Sequence, residues 1–170
     1  MNKTRAISIF LKRSNLECVE MIRSKYDDLF HKIPPHITLV FPFRSDLTLE
    51  ACIEHMHSCL QGYESFSIRL EGLKVADDGC LFLLVRDGKE QIEQLNRSLY
   101  SGPLRTYKSE EHTFIPHVTI GRFNHIEQAK AVQKKVAQLI PNLSLLVDRI
   151  TLESIGVHGY SELEYVYQLN

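Results

Sequence analysis

Hydrophobic residues along the chain change between the two-residue period of strands and the longer period of helices, and the same order occurs twice. The first half predicts strand, helix, strand, helix and strand at about residues 5–11, 14–33, 36–43, 46–60 and 66–75. The second half predicts this series again from about residue 81, with a closing strand at 143–152 and a last strand at 163–169. The chain is therefore expected to be a mixed helix and strand protein with an internal repeat.

Three of the predicted helices start with a polar residue followed three positions later by glutamate, which is the capping-box pattern. The pairs are Ser14 with Glu17, Asp87 with Glu90, and Asn124 with Glu127. We expect the helices to begin at these polar residues, and the second helix to begin near Asp46.

The repeated order predicts an α/β fold of the α+β kind, with residues 1–170 forming one bilobal domain. Each lobe is expected to hold a mainly antiparallel sheet packed by helices, with approximate internal repeats at 5–75 and 81–152. The active cleft is expected between the lobes. A chain of 170 residues is long enough for a substantial core.

One five-residue phrase occurs twice, as Pro-His-Ile-Thr-Leu from residue 35 and as Pro-His-Val-Thr-Ile from residue 116. Because residues two apart on a strand share a face, His36 lies beside Thr38, and His117 lies beside Thr119. The opposite face is apolar and is predicted to be buried; it carries Ile37, Leu39 and Phe41 in the first strand, and Val118 and Ile120 in the second.

Two imidazoles on opposite sides of one cleft can serve as general acid and general base near neutral pH. His36 and His117 are therefore the predicted catalytic pair for displacement at phosphorus, one taking a proton and the other giving one to the leaving oxygen. Thr38 and Thr119 are predicted to bind the phosphoryl oxygens. Because the two motifs are nearly identical, the sequence does not show which histidine is the acid and which is the base. This chemistry requires no metal and no cofactor.

Four further residues are candidate substrate contacts. On a regular strand Arg122 points away from the catalytic histidine, so it reaches phosphate only through a bulge or a strand end, with a rim salt bridge as the alternative. Phe123 is in phase with that histidine and could stack on a base, with burial as the alternative. Phe43 ends the predicted first motif strand, and Arg44 is in phase with His36 and Thr38 if the strand continues through Pro42.

The remaining histidines give weaker signals. His55 and His57 are two apart on a predicted helix, so their side chains point apart and cannot share a metal ion. His158 is expected to be structural or at the rim. The long connection at 101–115 predicts a flap that contacts substrate, with a surface loop as the alternative, and it carries His112.

Composition narrows the function classes. The net charge of −1 offers no large basic surface for tight binding of duplex nucleic acid. The four cysteines form no Cys-x-x-Cys pair, which favours reduced thiols in a cytoplasmic protein. The apolar stretch near the start is too short for a signal peptide or a membrane span. A soluble monomer is the expectation.

The two motifs resemble those of the two-histidine phosphoesterase superfamily, and within it the bacterial 2'-5' RNA ligase-like or RNA 2',3'-cyclic phosphodiesterase branch. The segment Phe114–Arg122 resembles the second motif of that family, and Leu152–Tyr160 is similar to its C-terminal segment. The resemblance implies metal-independent action on 2',3'-cyclic phosphates or 2'-5' phosphodiester bonds of RNA or nucleotides. It also implies that the histidine and threonine of each motif are the catalytic positions.

Three function classes remain open from the sequence. The first is the phosphodiesterase, acting by hydrolysis and in reverse by ligation, with RNA ends or nucleotides carrying cyclic phosphate as partners. The second is a non-catalytic module of the same fold that binds RNA ends or nucleotides. The third is a metal-dependent hydrolase.

Overall fold

Two four-stranded antiparallel sheets with helices packed on them make up this computed structural model, which describes residues 2–110 and 113–170. Those residues form β1 (Lys3–Phe10), α1 (Glu17–Tyr26), β2 (His36–Ser45), α2 (Leu49–Leu60), β3 (Phe66–Val75), β4 (Cys80–Asp87), α3 (Lys89–Leu99), β5 (His117–Arg122), α4 (Ile126–Val136), β6 (Leu143–Val147), β7 (Arg149–Ile155) and β8 (Ser161–Gln168). Short 3-10 helices occupy Arg13–Asn15 and Gly102–Tyr107. The predicted bilobal α+β fold is confirmed.

The sheets do not coincide with the two halves of the chain. The first sheet has the order β2-β1-β7-β8 and the second has the order β5-β4-β3-β6. The strand that ends the first predicted repeat, β3, therefore lies in the second sheet, and β7 from the second half lies beside β1. The predicted repeats at 5–75 and 81–152 thus do not each build one sheet, although both show the order strand, helix, strand, helix, strand.

The exchange between sheets explains why the strand predicted at 143–152 is two strands. β6 ends at Val147 in the second sheet, and β7 begins at Arg149 in the first. Between them, the carbonyl oxygen of Asp148 accepts a 2.9 Å hydrogen bond from the backbone N–H of Leu169. An apolar pattern does not reveal which sheet a strand joins.

The helices also cross between the lobes. α1 packs against β5 and α3 packs against β2, so each helix contacts the motif strand of the other sheet. One hydrophobic cluster runs through both sheets, and it includes Val19 and Ile22 from α1 and Leu95 and Leu99 from α3. This packing brings β2 and β5 into contact across the cleft.

The predicted helix caps were wrong. α1 begins at Glu17, after the 3-10 turn that contains Ser14. The residues at the N-terminal caps of α3 and α4 are Gly88 and His125. At these three helix starts no side chain accepts a capping hydrogen bond. β4 continues through Asp87, so that carboxylate pairs with Arg69 on β3 instead of capping α3. α2 begins later than expected, at Leu49, with the Thr48 hydroxyl accepting from Ala51 N–H.

The flap predicted at 101–115 is only partly described. Its first part forms the 3-10 helix Gly102–Tyr107, with Leu104 buried, while His112 lies outside the described residues. Within the described residues, no helix has the length and apolar character needed to span a membrane.

Candidate active site

The two motif strands form the facing edges of the two sheets. β2 and β5 each end their sheet and contact one another. The alternation read from the sequence holds at the start of both, since Ile37, Leu39, Val118 and Ile120 are at most 1% exposed. The histidine and threonine of each motif are partly exposed on the opposite face. The structure therefore places the histidine and threonine of each motif on the partly exposed faces of two strands that contact each other.

The two histidines are held by equivalent hydrogen bonds, each to the backbone carbonyl oxygen two residues earlier. Nδ1 of His36 lies 2.8 Å from the carbonyl oxygen of Pro34, and Nδ1 of His117 lies 2.6 Å from that of Ile115. A carbonyl oxygen only accepts, so Nδ1 carries the hydrogen and Nε2 is left to exchange a proton with a bound group. The proline between carbonyl and imidazole restricts the backbone of this short connection.

The prolines also anchor the motif strands. Each lacks an N–H, yet its carbonyl oxygen accepts a hydrogen bond from the adjacent strand or its end. Leu11 N–H donates to Pro35 at 2.9 Å, and Val85 N–H donates to Pro116 at 3.1 Å. Two unrelated segments of the chain thus hold their histidines in the same way.

The aromatic neighbours of the two imidazoles differ. Phe10 meets His36 edge-on, with ring centroids 6.2 Å apart and planes at 89°. Phe82 stacks on His117, with centroids 3.5 Å apart and planes at 20°. The near-symmetry seen in the sequence therefore does not extend to the surroundings, and the two histidines are chemically distinct.

Burial lowers the pKa of both imidazoles. The pKa of His36 falls to about 4, and that of His117 is also lowered. The hydrogen bonds to the backbone carbonyls oppose this change, while the positive charge of Arg122 adds to it at both histidines. Arg122 therefore lies close enough to act on both imidazoles, which are neutral at pH 7 in the unliganded protein.

Arg122 reaches this position because β5 contains a bulge. The pairing with β4 shifts between Phe82, opposite Thr119, and Leu81, opposite Gly121. The extra residue reverses the alternation, so two consecutive residues are buried and Arg122 is partly exposed. The bulge required for Arg122 to face the site is present, and the alternative salt bridge is also present, to Asp27.

The first motif strand has an equivalent bulge that the sequence analysis missed. Its pairing with β1 shifts between Ile7, opposite Val40, and Ser8, opposite Thr38. Phe41 was predicted to be buried with Ile37 and Leu39, but the shift leaves it 51% exposed. Phe41 follows His36 by five positions, as Arg122 follows His117, so the two bulges expose equivalent positions of the motif strands.

The other candidate contacts lie apart from the histidines. Phe43 is 4% exposed and packs against Tyr107, with centroids 5.2 Å apart, so its side chain is not available to a ligand. Arg44 is exposed but is eight residues beyond His36, roughly 25 Å along an extended strand. It can contact only a part of a substrate that is remote from the phosphate.

Phe123 is packed against α1. Its ring lies 5.8 Å from that of Tyr26, and a Cβ at Gly121 would come within 2.8 Å of it. The alternative noted for this residue, packing into the protein, is the arrangement observed.

Two of the remaining histidines, His55 and His57, form hydrogen bonds on α2. His55 is 8% exposed with Nε2 2.9 Å from the carbonyl oxygen of Leu99, and Nε2 of His57 lies 2.8 Å from the Tyr165 hydroxyl. His158 is exposed in the turn before β8. In the part of the chain that the structure describes, no three His, Cys, Asp or Glu side chains are grouped as metal ligands.

The fold and the paired motifs define a class of bilobal α+β proteins with a histidine and a threonine on each of two facing edge strands. The chain belongs to the 2'-5' RNA ligase superfamily, since residues 11–158 match the model of that family.

Individual proteins show the same relationship. The chain is 25% identical over 149 residues to an Oceanobacillus iheyensis protein named "Putative phosphoesterase", covering 86% of each. It is 23% identical over 152 residues to a Staphylococcus aureus protein of the same description, again covering 86% of each. Escherichia coli LigT in complex with 3'-AMP has the same fold, with a TM-score of 0.71, 19% identity, and coverage of 100% of this chain and 99% of LigT.

Proposed function

We propose that this protein is a phosphodiesterase that acts on 2',3'-cyclic phosphate ends or 2'-5' phosphodiester bonds of RNA or nucleotides by two-histidine acid-base catalysis. The observation that carries the proposal is the matched geometry of the imidazoles. Each donates from Nδ1 to a backbone carbonyl two residues earlier, on facing strands that also hold Arg122. Membership of the 2'-5' RNA ligase superfamily supports this choice of substrate class.

In this mechanism the phosphoryl group lies between Nε2 of His36 and Nε2 of His117. One imidazole removes a proton from the attacking water, and the other, protonated, gives a proton to the departing ribose oxygen. Hydrolysis of a 2',3'-cyclic phosphate then leaves one hydroxyl and one phosphomonoester on the ribose. In ligation a ribose hydroxyl takes the place of water as the nucleophile: its oxygen bonds to phosphorus, one P–O bond of the cyclic phosphate breaks, and the departing ribose oxygen takes the proton.

The other cleft residues stabilise the charge that grows on phosphorus. Hydroxyl donors from Thr38 and Thr119 bind the non-bridging oxygens, and the Arg122 guanidinium adds a charge-assisted donor. Phe41 is the candidate for stacking on the base, because it is half exposed at the position equivalent to Arg122. LigT, which has this fold, has been crystallised with 3'-AMP and with ATP, which supports a nucleotide ligand.

One observation favours a second candidate, the non-catalytic module that binds RNA ends or nucleotides. With a pKa of about 4, His36 is protonated in roughly one molecule in a thousand at pH 7, whereas catalysis needs one imidazolium. The pKa of His117 is lowered as well, and a phosphate anion between the imidazoles favours their charged forms, so the catalytic proposal requires substrate to raise the pKa of whichever imidazole acts as the acid. A binding module makes no such demand.

Incubation with nucleoside 2',3'-cyclic monophosphates and a short RNA ending in 2',3'-cyclic phosphate, in chelator, tests the proposal. We expect turnover in chelator, and we expect His36→Ala and His117→Ala each to lower it by about 10²-fold or more. His57→Ala, on the outer surface of α2, is the matched control and should retain wild-type activity.

The alternatives give different outcomes. Full activity in either cleft variant would refute the two-histidine mechanism, and loss of activity in chelator would favour a metal-dependent hydrolase. Binding of the RNA end without turnover of any substrate would favour the binding module.

A further inference from the structure

The end of α1 places a buried carboxylate behind the candidate phosphate site. Asp27 immediately follows α1, and its side chain is 1% exposed. One carboxylate oxygen, Oδ2, accepts from Arg23 Nε at 2.9 Å, and the other, Oδ1, accepts from Leu29 N–H at 3.0 Å. Oδ1 also accepts from Nη1 of Arg122 on β5. An acidic residue from the first half of the chain is thus bonded to a basic residue of the second motif strand.

This carboxylate is held more firmly than the arginine it contacts. Asp27 has one partner on α1, one in the loop after α1 and one on β5. Arg23, which is also 1% exposed, is fixed in turn by Glu20 and by the carbonyl oxygen of Ile33. Arg122 follows a bulge at the end of a short strand, and its side chain is 28% exposed. A long, flexible side chain at a strand end needs a fixed partner to keep one orientation.

The linked charged side chains around Asp27 carry a net positive charge, which favours binding of an anion. Three guanidinium groups and two carboxylates are linked by ion pairs, so the cluster carries a formal charge of +1; its members are Arg13, Glu20, Arg23, Asp27 and Arg122. The side chain of Arg122, whose charge lowers the pKa of both imidazoles, is 28% exposed, whereas those of Arg23 and Asp27 are each 1% exposed. The excess positive charge can therefore reach a phosphate in the cleft.

We propose that Asp27 is a positioning residue that holds the guanidinium of Arg122 at the phosphate site between the two motif strands. The proposal rests on the proposed function, because it takes the phosphoryl group as the ligand of Arg122. Asp27 touches no substrate and acts through the orientation of Arg122. α1 is then part of the ligand site as well as part of the core.

A purely structural role for Asp27 is the competing explanation, and Glu20→Gln is the control for it. Glu20 binds the same buried arginine at 2.7 Å but has no contact with Arg122. Asp27→Asn and Glu20→Gln each remove one carboxylate from Arg23, so both should lower the melting temperature. Only Asp27→Asn should weaken the binding of phosphate.

The experiment is a calorimetric measurement of adenosine 2'- and 3'-monophosphate binding by the intact chain. Arg122→Gln should weaken binding by about tenfold to a hundredfold, as expected for loss of a charge-assisted hydrogen bond. Asp27→Asn should give a loss of similar size, and the double variant should bind no more weakly than Arg122→Gln alone. Glu20→Gln, which removes a negative charge from the same cluster but no bond to Arg122, should bind at least as tightly as the wild type.

Three results would overturn the proposal. These are wild-type affinity in Asp27→Asn, wild-type affinity in Arg122→Gln, or losses that multiply in the double variant. If Asp27→Asn does not fold, Asp27→Glu keeps the charge against Arg23 and shifts the carboxylate by one methylene. It is expected to weaken binding, and unchanged affinity would count against a positioning role.

These measurements need no turnover. A wild-type protein that binds the monophosphates and turns over neither a 2',3'-cyclic phosphate nor a 2'-5' phosphodiester bond would refute the proposed function and leave the comparison of Asp27 variants intact. Normal turnover together with wild-type binding by Asp27→Asn would refute only the positioning role.

Discussion

Acidification should destabilise the protein through His36, by an amount that follows from its pKa. The folded pKa is about 4 and the ordinary value is 6.5, so the unfolded chain binds a proton more readily than the folded one. This contribution to stability is complete above pH 6.5 and is lost as the pH falls from 6.5 towards 4. Between pH 7 and pH 4.5 the two values give a loss of about 2.5 kcal/mol.

The comparison between wild type and His36→Gln isolates this contribution. Both proteins share every other titrating group, so the difference between their free energies of unfolding should change by about 2.5 kcal/mol from pH 7 to pH 4.5. Urea unfolding followed by circular dichroism at the two pH values measures it. The His57→Gln variant provides the surface comparison.

Equal pH dependence in wild type and His36→Gln would refute this reasoning, because it would mean that the imidazole titrates alike in the folded and unfolded chains. NMR titration of the His36 ring measures the pKa of this imidazole in the folded protein directly. The same titration with phosphate bound should move the pKa upward, since an anion in the cleft favours the imidazolium form.

Two substitutions test other parts of the site. Phe41→Ala should raise KM for nucleoside cyclic phosphates by about tenfold and leave kcat little changed, because base stacking is worth about 1–3 kcal/mol. Steady-state kinetics measures both constants, and an unchanged KM would exclude stacking on Phe41. Gly121→Ala should lower the free energy of unfolding by about 1–3 kcal/mol, because the added Cβ would come within 2.8 Å of the Phe123 ring and 3.3 Å of Tyr26 Cβ. Thermal unfolding measures this effect, and an unchanged melting temperature would contradict the expectation.

The sequence predicted the centre of the site because strand alternation is a local property. The motif repeats fixed which residues share a face, and Ile37 and Val118 are buried while Thr38 and Thr119 face outward. The chemistry of histidine and threonine then suggested the ligand. The assignment of catalytic roles to these residues stays a prediction until the variants are measured.

The edges of the site could not be predicted because they depend on contacts between distant segments. Each motif strand has a bulge directly after its threonine, and this decides the orientation of Phe41 and Arg122. A glycine at position 121 gave a hint of one bulge, while Val40 gave none. Nothing local in the sequence links Asp27 to Arg122, which are 95 residues apart.

The exchange of strands between the sheets has a consequence for folding. Neither half of the polypeptide can complete a sheet without the other, because β3 must pair with β4, and β7 must pair with β1. The second sheet uses only consecutive strands, β3 to β6, but the first is complete only when β1 and β2 from the start of the chain meet β7 and β8 from its end, which slows folding. A fragment that stops before β7 would leave β1 with an unpaired edge and would be prone to aggregate.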